Sequence, residues 1–181
     1  MLKPMTDSEL AKSASQGDRD AFQRLLERHY DMIHRVALRF TGSTTDAEDI
    51  AQDVCLALVR KIQAFRGDAL FSTWLYRVVI NACRDFARRR TTSKALVENY
   101  VAYRELDEAD HADSKERLDW LEEAYLRLPP DLRETVLLVV AEDMTHAEAG
   151  AVLDCAEGTI AWRMSAVRKQ LKLDLVSDHD E

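Results

Sequence analysis

Two stretches of the chain carry side chains whose types and spacing suit a polyanion. In 154–169, DCAEGTIAWRMSAVRK, residues Glu157, Gly158 and Thr159 open a helical pattern. The first N–H groups of a helix lack internal partners and can meet a phosphate, and Gly158 offers no side chain to block its approach. One to two turns on, Ala161, Trp162, Ser165 and Ala166 stand where base edges are read. Arg163, Arg168 and Lys169 can neutralise phosphates, or one arginine can grip guanine. In the second stretch, 65–90, Phe65, Arg66 and Phe71 precede Trp74, and Arg77, Asn81, Arg84 and Arg88 recur at spacings of four, three and four. Rings beside arginines can stack unpaired bases while the cations follow the phosphates. The same rings could simply be core, which suits Trp74 better than Phe71.

No catalytic residues are identified. The chain lacks a nucleophile elbow, GxxxxGK[ST], GxGxxG and HExxH, the patterns that would place a nucleophile, a phosphate cradle or a zinc ion. Its three cysteines, Cys55, Cys83 and Cys155, and its five histidines are scattered without metal-ligand spacing, so neither a metal nor a cofactor is expected.

The formal net charge of −8 argues against nucleic acid, but its distribution does not. Residues 1–90 carry 15 Lys/Arg against 12 Asp/Glu, residues 91–119 carry 4 against 8, and residues 120–181 carry 6 against 13. Local charge decides where a polyanion sits, and both candidate stretches are locally basic. No run approaches the roughly 20 apolar residues of a membrane span, and MLKPMTDSEL lacks the apolar stretch of a signal peptide. A cytoplasmic protein without membrane insertion is expected.

Helices must position these residues. Glycine and proline are scarce, five and three, so the patterned segments have few breaks. Thr6 and Glu9 form a T-x-x-E capping box for a short helix ending near Gly17. Asp18 caps a longer one with Phe22, Leu25, Leu26, Ile33, Val36, Ala37 and Phe40 on one face. Asp46 is placed as the cap of a third, and Ser72 or Thr73 as the cap of a fourth, WLYRVVINACRDFARRR. Four helices with short connections give a bundle over 1–90, followed by an acidic linker over 91–114. The unit 115–176 opens with DSKERLDWLEEAYLRL, then PDLRETVLLVVAED beginning with Pro130. The box Thr145/Glu148 starts a short helix, and the turn DCA leads into the basic one, a helix-turn-helix. The fold class is all-α, two small helical domains joined by an acidic linker.

The ordered blocks GDRDAF (17–22), DAEDIAQDV (46–54), FRGDALFSTWLYRVVINACRDFARRR (65–90), LPPDLRETVLL (128–138) and the helix-turn-helix resemble the extracytoplasmic function sigma factors, bacterial transcription initiation factors of the sigma-70 family. The resemblance spans all but the N-terminal tip, the linker and the tail. It implies that DAEDIAQDV, through Asp46, Asp49, Gln52 and Asp53, docks on the β′ clamp helices of core RNA polymerase. It implies that the loop with Phe65, Arg66, Gly67, Asp68 and Phe71 captures a flipped base of the promoter −10 element. Arg77, Asn81, Arg84, Asp85 and Arg88 would hold the rest of that element. The helix-turn-helix residues Glu157, Gly158, Thr159, Ala161, Trp162, Arg163, Ser165, Ala166, Arg168 and Lys169 would read the −35 element. Further implied partners are the polymerase β flap, promoter DNA and an anti-sigma factor.

Three departures stand out. Members commonly have a bulky aliphatic at Ala149, alanine at Gly150, and a basic residue then serine at Ala161–Trp162. Glycine costs a helix about 1 kcal/mol relative to alanine, so the supporting helix is expected to be softer than usual. Two rival functions follow from the same residues. A stand-alone helix-turn-helix regulator would have no use for DAEDIAQDV, and a degenerate sigma-like decoy would bind polymerase without starting transcription.

Overall fold

The computed structural model describes residues 5–94, 120–121 and 124–177. Helix α1 (Asp7–Ser15) starts at the expected box: the Glu9 N–H donates to the Thr6 hydroxyl at 3.3 Å, and the Thr6 N–H donates to the Glu9 carboxylate at 2.7 Å. Helix α2 (Arg19–Thr41) is capped by Asp18, which accepts from the Ala21 N–H at 3.1 Å, and ends at Gly42 in the left-handed region. Its buried face is Leu25, Ile33, Val36, Ala37 and Phe40, the apolar periodicity of the sequence.

Helix α3 (Thr44–Lys61) starts earlier than expected. Ser43, not Asp46, is its cap, with the Ser43 hydroxyl accepting from the Asp46 N–H at 3.3 Å. A serine directly after the left-handed Gly42 has the extended backbone a cap needs, and this places Asp46 inside the first turn. After a 3-10 turn at Ile62–Ala64, helix α4 (Phe71–Lys94) also starts early. Its first turn closes with the Trp74 N–H on the Leu70 carbonyl at 3.1 Å, because Phe71 rather than a serine enters the bundle. The rest of the proposed linker and most of DSKERLDWLEEAYLRL lie outside the described residues; 124–127 are helical.

Pro130 takes the first turn of α5 (Pro130–Val136), where its missing N–H costs nothing. The helix then widens into a π-helical turn, Leu137–Ala141, closed by the Glu142 N–H on the Leu137 carbonyl at 3.0 Å. Helix α6 (His146–Leu153) starts at the second capping box, Thr145 with Glu148. Asp154, left-handed at φ 57°, ends it, and α7 (Glu157–Ser177) follows. The fold is all-α. One apolar cluster runs from α1–α4 across to Leu137, Leu138, Ala149, Val152, Leu153 and Ile160. A smaller one joins Leu128, Leu132 and Val167. The two sequence-defined units are therefore closed on each other.

Candidate nucleic-acid interfaces

Helical spacing does bring Arg77, Asn81, Arg84 and Arg88 to one face of α4, but the C-terminal unit already holds much of it. The Arg84 guanidinium makes a bidentate pair with Glu134 of α5, at 2.7 and 2.5 Å, and also donates to Asn81 at 3.3 Å. Glu134 is only 2% exposed, so its charge would be costly without that planar partner. The hydrogen bond to Glu134, outweighing burial, raises the Arg84 pKa. Arg77 donates to the Ala151 carbonyl of α6, through Nε at 2.7 Å. Arg88 pairs with Asp85 along α4.

A second contact between the units centres on Glu142, just after the π-helical turn. Its carboxylate accepts from Arg35 at 3.1 and 2.8 Å, from Arg39 at 2.6 Å and from the Tyr76 hydroxyl at 2.7 Å. Burial pushes this carboxyl up, but the hydrogen bonds from Arg35 and Tyr76 and the charges of Arg35 and Arg39 prevail and hold it below the usual range. Nearby, the Arg133 guanidinium sits 5.7 Å from the centre of the Phe40 ring. Sequence reasoning missed Glu134, Glu142, Arg35, Arg39 and Tyr76. The opposite charge of the two units was the only trace of them.

The loop before α4 requires a correction. Phe71 is 3% exposed. Its ring packs against His29, Phe65 and Trp74 at centroid distances of 5.3, 5.6 and 5.6 Å. It cannot stack a base from there, and Phe65 is half-buried on the same cluster. Residues Arg66, Gly67, Asp68, Ala69 and Leu70 of the loop are all exposed, the last at 69%. Gly67 has φ 79°, so the turn at the tip depends on a residue without a Cβ. Leu70 went unremarked because an apolar residue beside a helix resembles core.

On α3 the four expected docking residues divide. Asp46 pairs with Arg90, and Asp53 pairs with Arg89 at 3.2 Å. Asp49 and Gln52 are exposed and share an outward face with Leu56 and Val59, which are exposed too. A groove beside them is lined by Tyr30, Asp31, His34, Arg35, Glu48 and Gln52. A face of acids and bare aliphatics suits a protein partner better than DNA.

The helix-turn-helix is tightly built. A Cβ at Gly150 would lie 2.7 Å from the Cys155 carbonyl oxygen, and Ala149 is fully buried. Gly150 is what lets α6 approach the turn into α7, so close packing stands at the position of low helix propensity. Helix α7 buries Ile160, Met164 and Val167. It exposes Glu157, Gly158, Ala161, Trp162, Ser165, Arg168 and Lys169, while Thr159 and Ala166 are half-buried. Arg163 is turned back, its Nε 3.5 Å from Asp131 of α5, and does not join the outward face.

These features have counterparts in known proteins. Residues 25–92 match the family Sigma-70 region 2, and residues 118–171 match Sigma-70, region 4. The ECF RNA polymerase sigma factor SigM of Mycobacterium tuberculosis is 34% identical over 167 residues, 92% of this chain and 83% of that protein. The ECF RNA polymerase sigma-E factor of Escherichia coli K12 is 28% identical, covering 94% of this chain and 95% of its own. Among solved structures, CnrH in complex with the cytosolic domain of CnrY superposes with a TM-score of 0.70 at 26% identity, over 95% of this chain and 98% of that one. Among the described residues no helix is long and apolar enough to cross a membrane, and no three His, Cys, Asp or Glu residues cluster as a metal site would need.

Proposed function

Since the chain belongs to the extracytoplasmic function sigma factors of the sigma-70 family, we propose that its two units divide promoter recognition between α4 and α7. It is an alternative sigma factor that joins core RNA polymerase and directs promoter-specific initiation. The observation that carries the division is geometric: a cationic stripe on α4 and a helix-turn-helix lie on separate units. Arg77, Asn81, Arg84 and Arg88, with the loop Arg66–Asp68 and Leu70, hold the −10 element and its opened strand. The outward face of α7 reads the −35 element in the major groove. The Asp49, Gln52, Leu56 and Val59 face of α3 docks on the β′ clamp helices, and the C-terminal unit on the β flap. The polymerase does the chemistry, in the cytoplasm, and the chain supplies no catalytic group.

In the closed chain the −10 stripe is engaged by Glu134 and the Ala151 carbonyl. The free protein therefore holds DNA weakly, and assembly with core enzyme must separate the units. An anti-sigma factor would act before that step, on the closed or the opening chain; the likeness to CnrH, solved with CnrY, supports such a partner. The test is run-off transcription from genomic DNA by core polymerase with and without the full chain. Transcripts that appear only with the chain are expected. Polymerase binding without transcripts would make it a decoy, and no binding would make it a stand-alone regulator.

A further inference from the structure

A helix lying in the major groove reaches base edges with side chains from its N-terminal turns. On α7 the outward residues there are Glu157, Gly158, Ala161, Trp162 and Ser165. Purine edges are read by bidentate pairs, arginine or lysine to guanine and asparagine or glutamine to adenine. None of those side chains stands on this face before Arg168, and Arg163 is held against Asp131 with its side chain 18% exposed. Glycine has no side chain to offer, and alanine and serine present only a single methyl or hydroxyl close to the helix. Trp162 is the long uncharged side chain left.

Its setting fits a contact made elsewhere than in the chain's own core. The ring is 65% exposed and belongs to neither apolar cluster. Gly158, four residues before it, and Ser165, three after, share its face at helical spacing, so the indole projects from a shallow surface. Lys169 continues the same stripe and, like Arg168 and Lys172, is exposed. The apolar projection is thus followed by cations placed to take phosphates, a charge pattern complementary to DNA. The apolar group on the major-groove edge of the bases is the C5-methyl of thymine.

We propose that Trp162 selects a thymine in the −35 element by packing on its C5-methyl group. The inference rests on the −35 role of α7 proposed above. It makes this helix a reader of a methyl group where purine hydrogen bonding would otherwise be expected.

The test uses holoenzyme reconstituted with the full chain on a promoter it initiates from. Each −35 thymine, on either strand, is replaced singly by deoxyuridine, which keeps every hydrogen-bonding group and loses the methyl. One replacement should lower initiation about four-fold, the scale of one buried methyl. The Trp162→Ala variant should be indifferent to it, and Trp162→Leu should retain part of the preference. A wild-type chain indifferent at every −35 thymine, a −35 element without thymine, or a Trp162→Ala variant as sensitive as wild type would overturn the proposal. Initiation unaffected by scrambling the whole −35 element would instead remove the role of α7, and the proposal with it. A Trp162→Ala loss equal on thymine and uracil templates would assign the ring to a protein contact and also overturn it.

Discussion

The two candidate DNA surfaces differ in what already occupies them. On α4, Arg84 is clamped by Glu134 and Arg77 by a carbonyl of α6. On α7, Trp162, Arg168 and Lys169 face outward. The same net-acidic C-terminal unit thus covers one candidate surface while presenting the other. Mean acidity alone would weaken both surfaces equally. Specific acids placed against specific arginines occupy only one of them. The difference teaches that charge in this chain acts by position.

The strongest way to break that contrast is to remove both carboxylates. In Glu134→Gln/Glu142→Gln the charge-assisted bonds to Arg84, Arg35 and Arg39 are lost. Partial exposure of the arginines limits the effect to about 2 kcal/mol in all. Affinity of the free chain for a single-stranded −10 oligonucleotide should rise about 30-fold by fluorescence anisotropy, with −35 duplex affinity unchanged. Unchanged strand affinity would show that closure does not limit the α4 surface.

A smaller effect sharpens the other side of the contrast. Gly150→Ala drives a methyl group against the Cys155 carbonyl at 2.7 Å. Overpacking costs about 2–3 kcal/mol and better helix propensity returns about 1. The variant should lose about 1.5 kcal/mol of stability in denaturant titrations, with −35 binding impaired first. A more stable variant would show that the helix-turn-helix has room to relax. Smaller again, Thr145→Ala removes the cap of α6 and should cost about 1 kcal/mol, a fall of about 2–4 °C in melting temperature.

The smallest expected effect is on acidification. The Glu142 carboxyl lies below its ordinary value when folded. Its contribution to closure is therefore complete above the unfolded carboxylate value of about 4.3 and is lost as pH falls through the lower folded value. The scattering radius should begin to grow only below about pH 4. Glu142→Gln should lack that component.

Signals that act within a few residues were legible in the sequence. Both T-x-x-E boxes, the Asp18 cap and the apolar face of α2 needed no tertiary information and stand where expected. The misplaced start of α3 came from two good caps, Ser43 and Asp46, three residues apart, with the choice made by the left-handed Gly42. Phe71 could serve base or core equally well by type, and only the neighbouring His29, Phe65 and Trp74 decide it. Pairs such as Arg35 with Glu142 join residues distant in the chain, so no local pattern announces them. Gly150 looked like a weakness because its reason is a carbonyl oxygen five residues away, across a turn.

The π-helical turn at Leu137–Ala141 carries a consequence of its own. An extra residue in one turn shifts the helical phase by about 100°, and that shift aims Glu142 at Arg35, Arg39 and Tyr76. Glu134 lies before the turn and does not depend on it. Deleting one residue from 137–141 would rotate Glu142 away and leave Glu134 in register with Arg84. The two clasps between the units are thus keyed by chain length as well as by charge, and a single deletion can undo one without touching the chemistry of the other.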